Sequence, residues 1–260
     1  MSDTLKIIFN VSKMPDLEEP YLVCGLPGSG YVGKLAVEHL IQEVDAKLLA
    51  EIYSYSFPPQ VMIRSDGTAD LMKNTMYYWK NDGKSDMLIL TGDAQPSTPE
   101  AEYALGTEIL ELANKFHTKT VFTLAAYITG VFVEKPKVYV TATGADLLKE
   151  FQSPAMSAMD GGSITGMNGL LVGLAKLKGM HGMCLLGETS GYVVDAKASQ
   201  AVLEALLSIV GVKIDMKNLE KRAKDTEMLI QTIEQQMQKR TMTEQQSQTK
   251  QPSKDVGYIS

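Results

Sequence analysis

Histidine and cysteine are scarce in this chain: three of one and two of the other in 260 residues. His39, His117 and His181 form no His-Glu-x-x-His pair, and none stands at metal-ligand spacing from Cys24 or Cys184. The sequence therefore carries no legible metal site. Both cysteines sit in apolar, strand-like runs, which reads as reduced, buried thiols. No Gly-x-Ser-x-Gly elbow is present, and Ser190 falls one residue short of it. No catalytic set emerges. Positive charge is not in excess either: 25 Lys and Arg against 31 Asp and Glu leave a net charge of -6. Without a basic stripe, nucleic acid is not an expected partner. No apolar run reaches transmembrane length, and the N-terminus lacks a basic segment followed by an apolar one. A cytoplasmic location and no membrane contact are the expectations.

Against these absences stands one dense stretch, Tyr21 to Val44. The apolar run Tyr21 to Cys24 leads into a glycine-rich turn. A segment follows with Val32, Ala36, Leu40 and Val44 on one face. That is the strand, loop and helix that open an α/β domain. The turn fits two phosphate-binding patterns. Gly28, Gly30 and Gly33 fit Gly-x-Gly-x-x-Gly, and Gly28 to Lys34 fits Gly-x-x-x-x-Gly-Lys. The second pattern breaks at Leu35, where a Ser or Thr would hold magnesium. Glycines there admit an anion at a helix N-terminus. They equally let a helix pack tightly on a sheet with nothing bound.

The remaining elements follow in order. Leu5 to Phe9 and Lys47 to Tyr55 read as strands, the second stopped at Phe57-Pro58-Pro59. Asp66-Gly67 and Asn81-Asp82-Gly83-Lys84 are hairpin signals, so an antiparallel excursion interrupts the α/β layout. Met87 to Leu90 is a central strand. Ser97 caps the next helix, with Pro99 in its first turn and Glu100 closing a capping box. Strands at Thr120 to Ala126, Val138 to Thr143 and Gly182 to Leu186 alternate with helices at Ala145 to Phe151, Leu170 to Leu177 and Ala196 to Val210. The middle helix is apolar nearly all round and is expected to be buried. A mostly parallel sheet is implied. Asp93 and Glu188 fall just past strand ends, where α/β sheets place ligands. There they could serve acid–base chemistry or cap helices and bind loop amides.

Met216, Leu219, Ala223, Thr226, Ile230, Ile233 and Met237 recur at alternating spacings of three and four. This seam fits either a coiled coil or a docked terminal helix, about 33 Å long. Thr241 to Asp255 is polar and lacks an apolar face, which predicts disorder. The chain ends Val256-Gly257-Tyr258-Ile259-Ser260. Three parts result: a domain over 1–213, a C-terminal helix over 214–240, and a flexible tail over 241–260 with a hydrophobic tip.

Several stretches together resemble the proteasome-assembly-chaperone family, in particular its archaeal branch. They are Gly25-Leu26-Pro27-Gly28-Ser29-Gly30-Tyr31-Val32-Gly33, Gly92-Asp93-Ala94-Gln95-Pro96, Gly166-Met167-Asn168-Gly169-Leu170-Leu171 and Gly182-Met183-Cys184-Leu185-Leu186-Gly187-Glu188-Thr189, with Asp195 and Ala198. The resemblance runs from about Pro20 to Leu219. It implies a Rossmann-like, nucleoside-phosphorylase-like three-layer α/β/α sheet, here with a C-terminal helical arm and a disordered tail. It implies homo-oligomers, or hetero-oligomers with a paralogue. It also implies binding to the α-subunits of the proteasome core particle, without ATP or another cofactor. In such proteins a C-terminal hydrophobic–tyrosine–any tripeptide enters pockets between α-subunits. Here Tyr258 is third from the end and follows Gly257, so Val256, Tyr258 and Ile259 match that motif only loosely. On this resemblance Gly25, Gly28, Gly30 and Gly33 are structural. A nucleotide- or nucleoside-binding enzyme using Gly28 to Lys34, with Asp93 or Glu188 as acid or base, is the alternative.

Overall fold

The computed structural model describes residues 5–81, 85–151, 156–225 and 228. The chain opens with β1 (Leu5–Phe9), β2 (Tyr21–Cys24), α1 (Val32–Glu43) and β3 (Lys47–Ser54). A short ribbon follows, β4 (Val61–Ile63) and β5 (Ala69–Leu71), then β6 (Asn74–Trp79) and β7 (Met87–Gly92). Next come α2 (Pro99–Asn114), β8 (Thr120–Ile128), β9 (Val138–Ala142) and α3 (Ala145–Phe151). The last elements are β10 (Met156–Ala158), α4 (Met167–Leu177), β11 (His181–Thr189) and α5 (Ala196–Val210). Residues 217–225 are helical as well.

Nine strands form one sheet in the order β1-β3-β6-β7-β2-β8-β11-β9-β10. Its centre, β7-β2-β8-β11, is parallel. β1, β3, β6 and β7 pair antiparallel in succession. β9 runs antiparallel to β11 and parallel to β10. The sheet is thus mixed, more so than the alternation of strands and helices implied. The antiparallel excursion is present, with β6 and β7 as its second hairpin. The turn signal at Asp82-Gly83-Lys84 lies outside the described residues.

Alternation along the central strands feeds two cores. Leu22 and Cys24 of β2, with Leu88 and Leu90 of β7, pack under α2 and α4. Val23, Met87 and Ile89 face the other way, under α1 and α5. Each fully buried large aliphatic side chain contributes about 1.5–3 kcal/mol. Helices thereby cover both faces of the central sheet.

Local signals were resolved differently at several points. The cap of α2 is Thr98, whose hydroxyl accepts the N–H of Ala101, and not Ser97. Pro99 fixes this, since proline at the first helical position makes the preceding residue the cap. In α4, Leu171, Leu174 and Ala175 are buried but Leu177 is 83% exposed. That helix is covered on one side only. Glu188 lies inside β11, which continues to Thr189.

The start of the C-terminal seam docks on the body. Leu219 and Ala223 are buried in the core beneath α1 and α5, with Met216 packed against it. His39 of α1, expected at or near the surface, is buried because this segment covers it. Its Nε2 lies 2.9 Å from the Asp215 carbonyl oxygen. The seam positions from Thr226 to Met237, the polar tail and the tip with Val256, Tyr258 and Ile259 lie outside the described residues.

Candidate functional site

The glycine stretch forms a tight turn over the carboxyl end of β2. Gly33 sits in the first turn of α1 against β8, where a β-carbon would stand 2.0 Å from the Leu124 carbonyl oxygen. At Gly25 a β-carbon would stand 2.2 Å from the Gly33 carbonyl oxygen. Both positions bring helix and strand closer than any side chain allows. Gly30 has φ of 62°, in the left-handed region that favours glycine. Only Gly28 borders open space.

Polar side chains from distant parts of the chain hold this turn in place. Asn168, the second residue of α4, donates from Nδ2 to the Leu26 carbonyl at 3.3 Å and accepts the Leu26 N–H at 3.2 Å. Gln95 donates to the Pro27 carbonyl and accepts the Met167 N–H at 2.7 Å. The Thr91 hydroxyl donates to the Gly25 carbonyl at 3.2 Å. On the far side, the Asp195 N–H donates to the Gly30 carbonyl at 2.8 Å. The Asp195 carboxylate accepts the Thr189 hydroxyl at 2.7 Å and the Ala198 N–H at 2.9 Å, capping α5. The separate motifs of the sequence thus converge on one loop. Nothing in the sequence assigned these roles, although Asn168 and Gln95 stand out as amides in largely apolar surroundings.

The arrangement leaves little for nucleotide chemistry. Lys34 donates to the Gly92 carbonyl at 2.7 Å and pairs with Glu38 at 2.7 Å. It lines a charged cleft of ≈ 490 Å³ with Arg64, Asp70, Lys73 and Asp93. The space bordering Gly28 is a different cleft, of ≈ 430 Å³, with Ser29, Gln95, Tyr127, Ser163 and Thr165 on its walls. Those walls hold no carboxylate, imidazole, amine or thiol.

Asp93 accepts the Lys73 N–H at 3.2 Å and Glu188 accepts the Lys137 N–H at 3.2 Å. Their strands, β7 and β11, are separated by β2 and β8. Three interstrand steps put them roughly 14 Å apart. They share a sheet edge but not a site, and both bind loop amides. Ser190 is buried and its hydroxyl accepts the Tyr192 N–H at 3.3 Å. Among the described residues no cluster of His, Cys, Asp and Glu could hold a metal ion. Burial pushes the Cys184 thiol up to about 12. Burial, and then the neighbouring Cys184, drives Cys24 well above the ordinary thiol range. Neither is a nucleophile near neutral pH. Around the loop the surface turns apolar, with Tyr31, Ile128, Val131, Tyr192 and Val194 all exposed. Among the described residues no helix is long and apolar enough to cross a membrane.

Fold and site together define a mixed α/β protein with a locked glycine turn at the carboxyl edge of its sheet. The chain belongs to the PAC2 family, whose model matches residues 22–234. It is 37% identical over 254 residues to the uncharacterized protein MJ1210 of Methanocaldococcus jannaschii, covering 96% of this chain and 95% of that one. It is similar to the crystal structure of Pyrococcus furiosus PbaB, an archaeal proteasome activator. There the identity is 39%, the TM-score is 0.83, and the match covers 90% of this chain and 100% of that one. Pyrococcus furiosus PbaA, an archaeal homolog of proteasome-assembly chaperone, matches with 27% identity and a TM-score of 0.73, over 94% and 98% of the two chains.

Proposed function

We propose that this chain is a proteasome-binding protein, an assembly chaperone or ATP-independent activator that engages the α-subunits of the core particle. The observation that carries this is the full-length match to PbaB at 39% identity. The site supports it. Side chains that could have served a ligand are spent on fixing the glycine turn, while exposed apolar residues surround it. That suits a protein partner better than a small substrate. The enzyme reading through Gly28 to Lys34 is not favoured, because Lys34 lines a different cleft from the one at Gly28. The chain acts without catalysis, in the cytoplasm, as a homo-oligomer or with a paralogue. The parallel strands β7-β2-β8-β11 with helices on both faces support a Rossmann-like description.

Contact through the C-terminal tip follows from the sequence. Tyr258 is the anchor, since an aromatic ring buries much area and its hydroxyl finds a partner. Several tips on one oligomer would reach the same ring and gain by effective concentration. Gradient co-migration with purified core particle tests this. Deleting Val256 to Ser260 weakens binding, and Tyr258→Ala reproduces most of the loss. Equal binding by the deleted and full-length chains transfers the contact to the folded body.

A further inference from the structure

The β4–β5 ribbon stands outside both cores. Val61, Met62 and Ile63 are all exposed, and so are Ala69 and Leu71 opposite them. Two-stranded ribbons are marginal when nothing covers them. This one is apolar nonetheless, with Ile63 66% and Leu71 64% exposed. In the register, Val61 pairs with Leu71 and Ile63 with Ala69, so these four side chains share one face.

Beside the ribbon runs a groove of ≈ 660 Å³ lined by Ile8, Tyr55, Pro58, Pro59, Val61 and Leu71. Its far wall is the outer edge of the large sheet, where β1 pairs with β3 alone. Tyr55 on that wall is 86% exposed. Lys6 and Ile8 are the β1 residues on the groove. An edge strand with exposed apolar side chains is a template for association.

We propose that this face binds a second copy of the same chain, the ribbon of each copy seated in the groove of the other. The protruding apolar face and the receiving apolar groove lie side by side on one molecule. A two-fold axis through their boundary satisfies both at once, as an isologous interface requires. Size agrees. Ile8, Phe9, Tyr55, Val61, Met62, Ile63 and Leu71 are each more than a third exposed. At about half of roughly 180 Å² each they offer some 600–700 Å². A stable dimer buries about 800 Å² per partner. Charge does not oppose it: Arg64 and Asp70 pair on the ribbon itself. The inference stands apart from proteasome binding and is tested without the proteasome.

Sedimentation of the full chain is the test, with Ile63→Asp and, separately, Leu71→Lys. Both residues are exposed, so folding is preserved, and circular dichroism verifies it. A twofold drop in oligomer mass in both variants is the expected result. A second measurement fixes the geometry. Chains carrying Ile63→Cys are mixed with chains carrying Tyr55→Cys and treated with a short bismaleimide; the native thiols are buried. A mixed crosslinked pair is expected. A monomeric wild-type chain, an unchanged mass in both variants, or no mixed crosslink overturns the proposal.

Discussion

Asn168 holds both main-chain polar groups of Leu26, accepting its N–H at 3.2 Å and donating to its carbonyl at 3.3 Å. Both residues are buried, and they lie 142 positions apart in sequence. This one amide ties the start of α4 to the glycine turn after β2. Asn168→Ala leaves a buried donor and acceptor without partners. Each such group costs about 1–3 kcal/mol. A loss of about 2–4 kcal/mol is expected in denaturant unfolding, with the unfolding slope unchanged.

The turn is set by close approach, so its glycines differ in tolerance. Gly33→Ala drives a β-carbon into the Leu124 carbonyl, a backbone atom that cannot rotate away. A loss of about 3 kcal/mol or more is expected. Gly28→Ala meets nothing within 4 Å and is expected to stay within about 0.5 kcal/mol of the native chain. Thermal melts of the two variants side by side check this contrast. Equal melting temperatures would remove packing as the reason for the glycines.

The C-terminal segment is fastened by His39, whose Nε2–H donates to the Asp215 carbonyl. His39→Ala is expected to loosen residues 216–225 before the rest of the body. Hydrogen exchange reads this directly, as faster exchange of amides such as that of Glu220, which bonds to Met216.

The two buried thiols make alkaline stability depend on pH. Folding raises both, so the unfolded chain loses its thiol protons near the usual value while the native chain keeps them. Stability from this source is complete below about pH 8.5 and falls as pH rises toward 12. The slope is about 1.4 kcal/mol per pH unit for each thiol. Urea unfolding at pH 8 and pH 10 measures it, and Cys24→Ala/Cys184→Ala is expected to remove that part of the slope.

Much of this fold was legible in the sequence because its signals are local. The turn after β2, the hairpin at Asp66-Gly67 and the helical faces follow from residue type and period. Sheet order was not legible, because β6 reaches its place between β3 and β7 through pairings that no local pattern records. The cap of α2 was misplaced among adjacent hydroxyl residues, although the position of Pro99 decides it. His39 read as a surface residue because the segment that covers it lies 176 positions away. The glycines announced the loop. The amides and carboxylate that lock it come from three other regions of the chain, and only the fold brings them together.

The most direct test of the whole account is co-sedimentation of the full-length chain with purified proteasome core particle, with and without ATP. Nucleotides and nucleosides are scanned in parallel for a rise in melting temperature. The account predicts co-migration that ATP does not alter, and flat melting temperatures. Failure to co-migrate, together with a melting temperature that climbs with one nucleotide, would contradict it and restore the glycine loop as a ligand site.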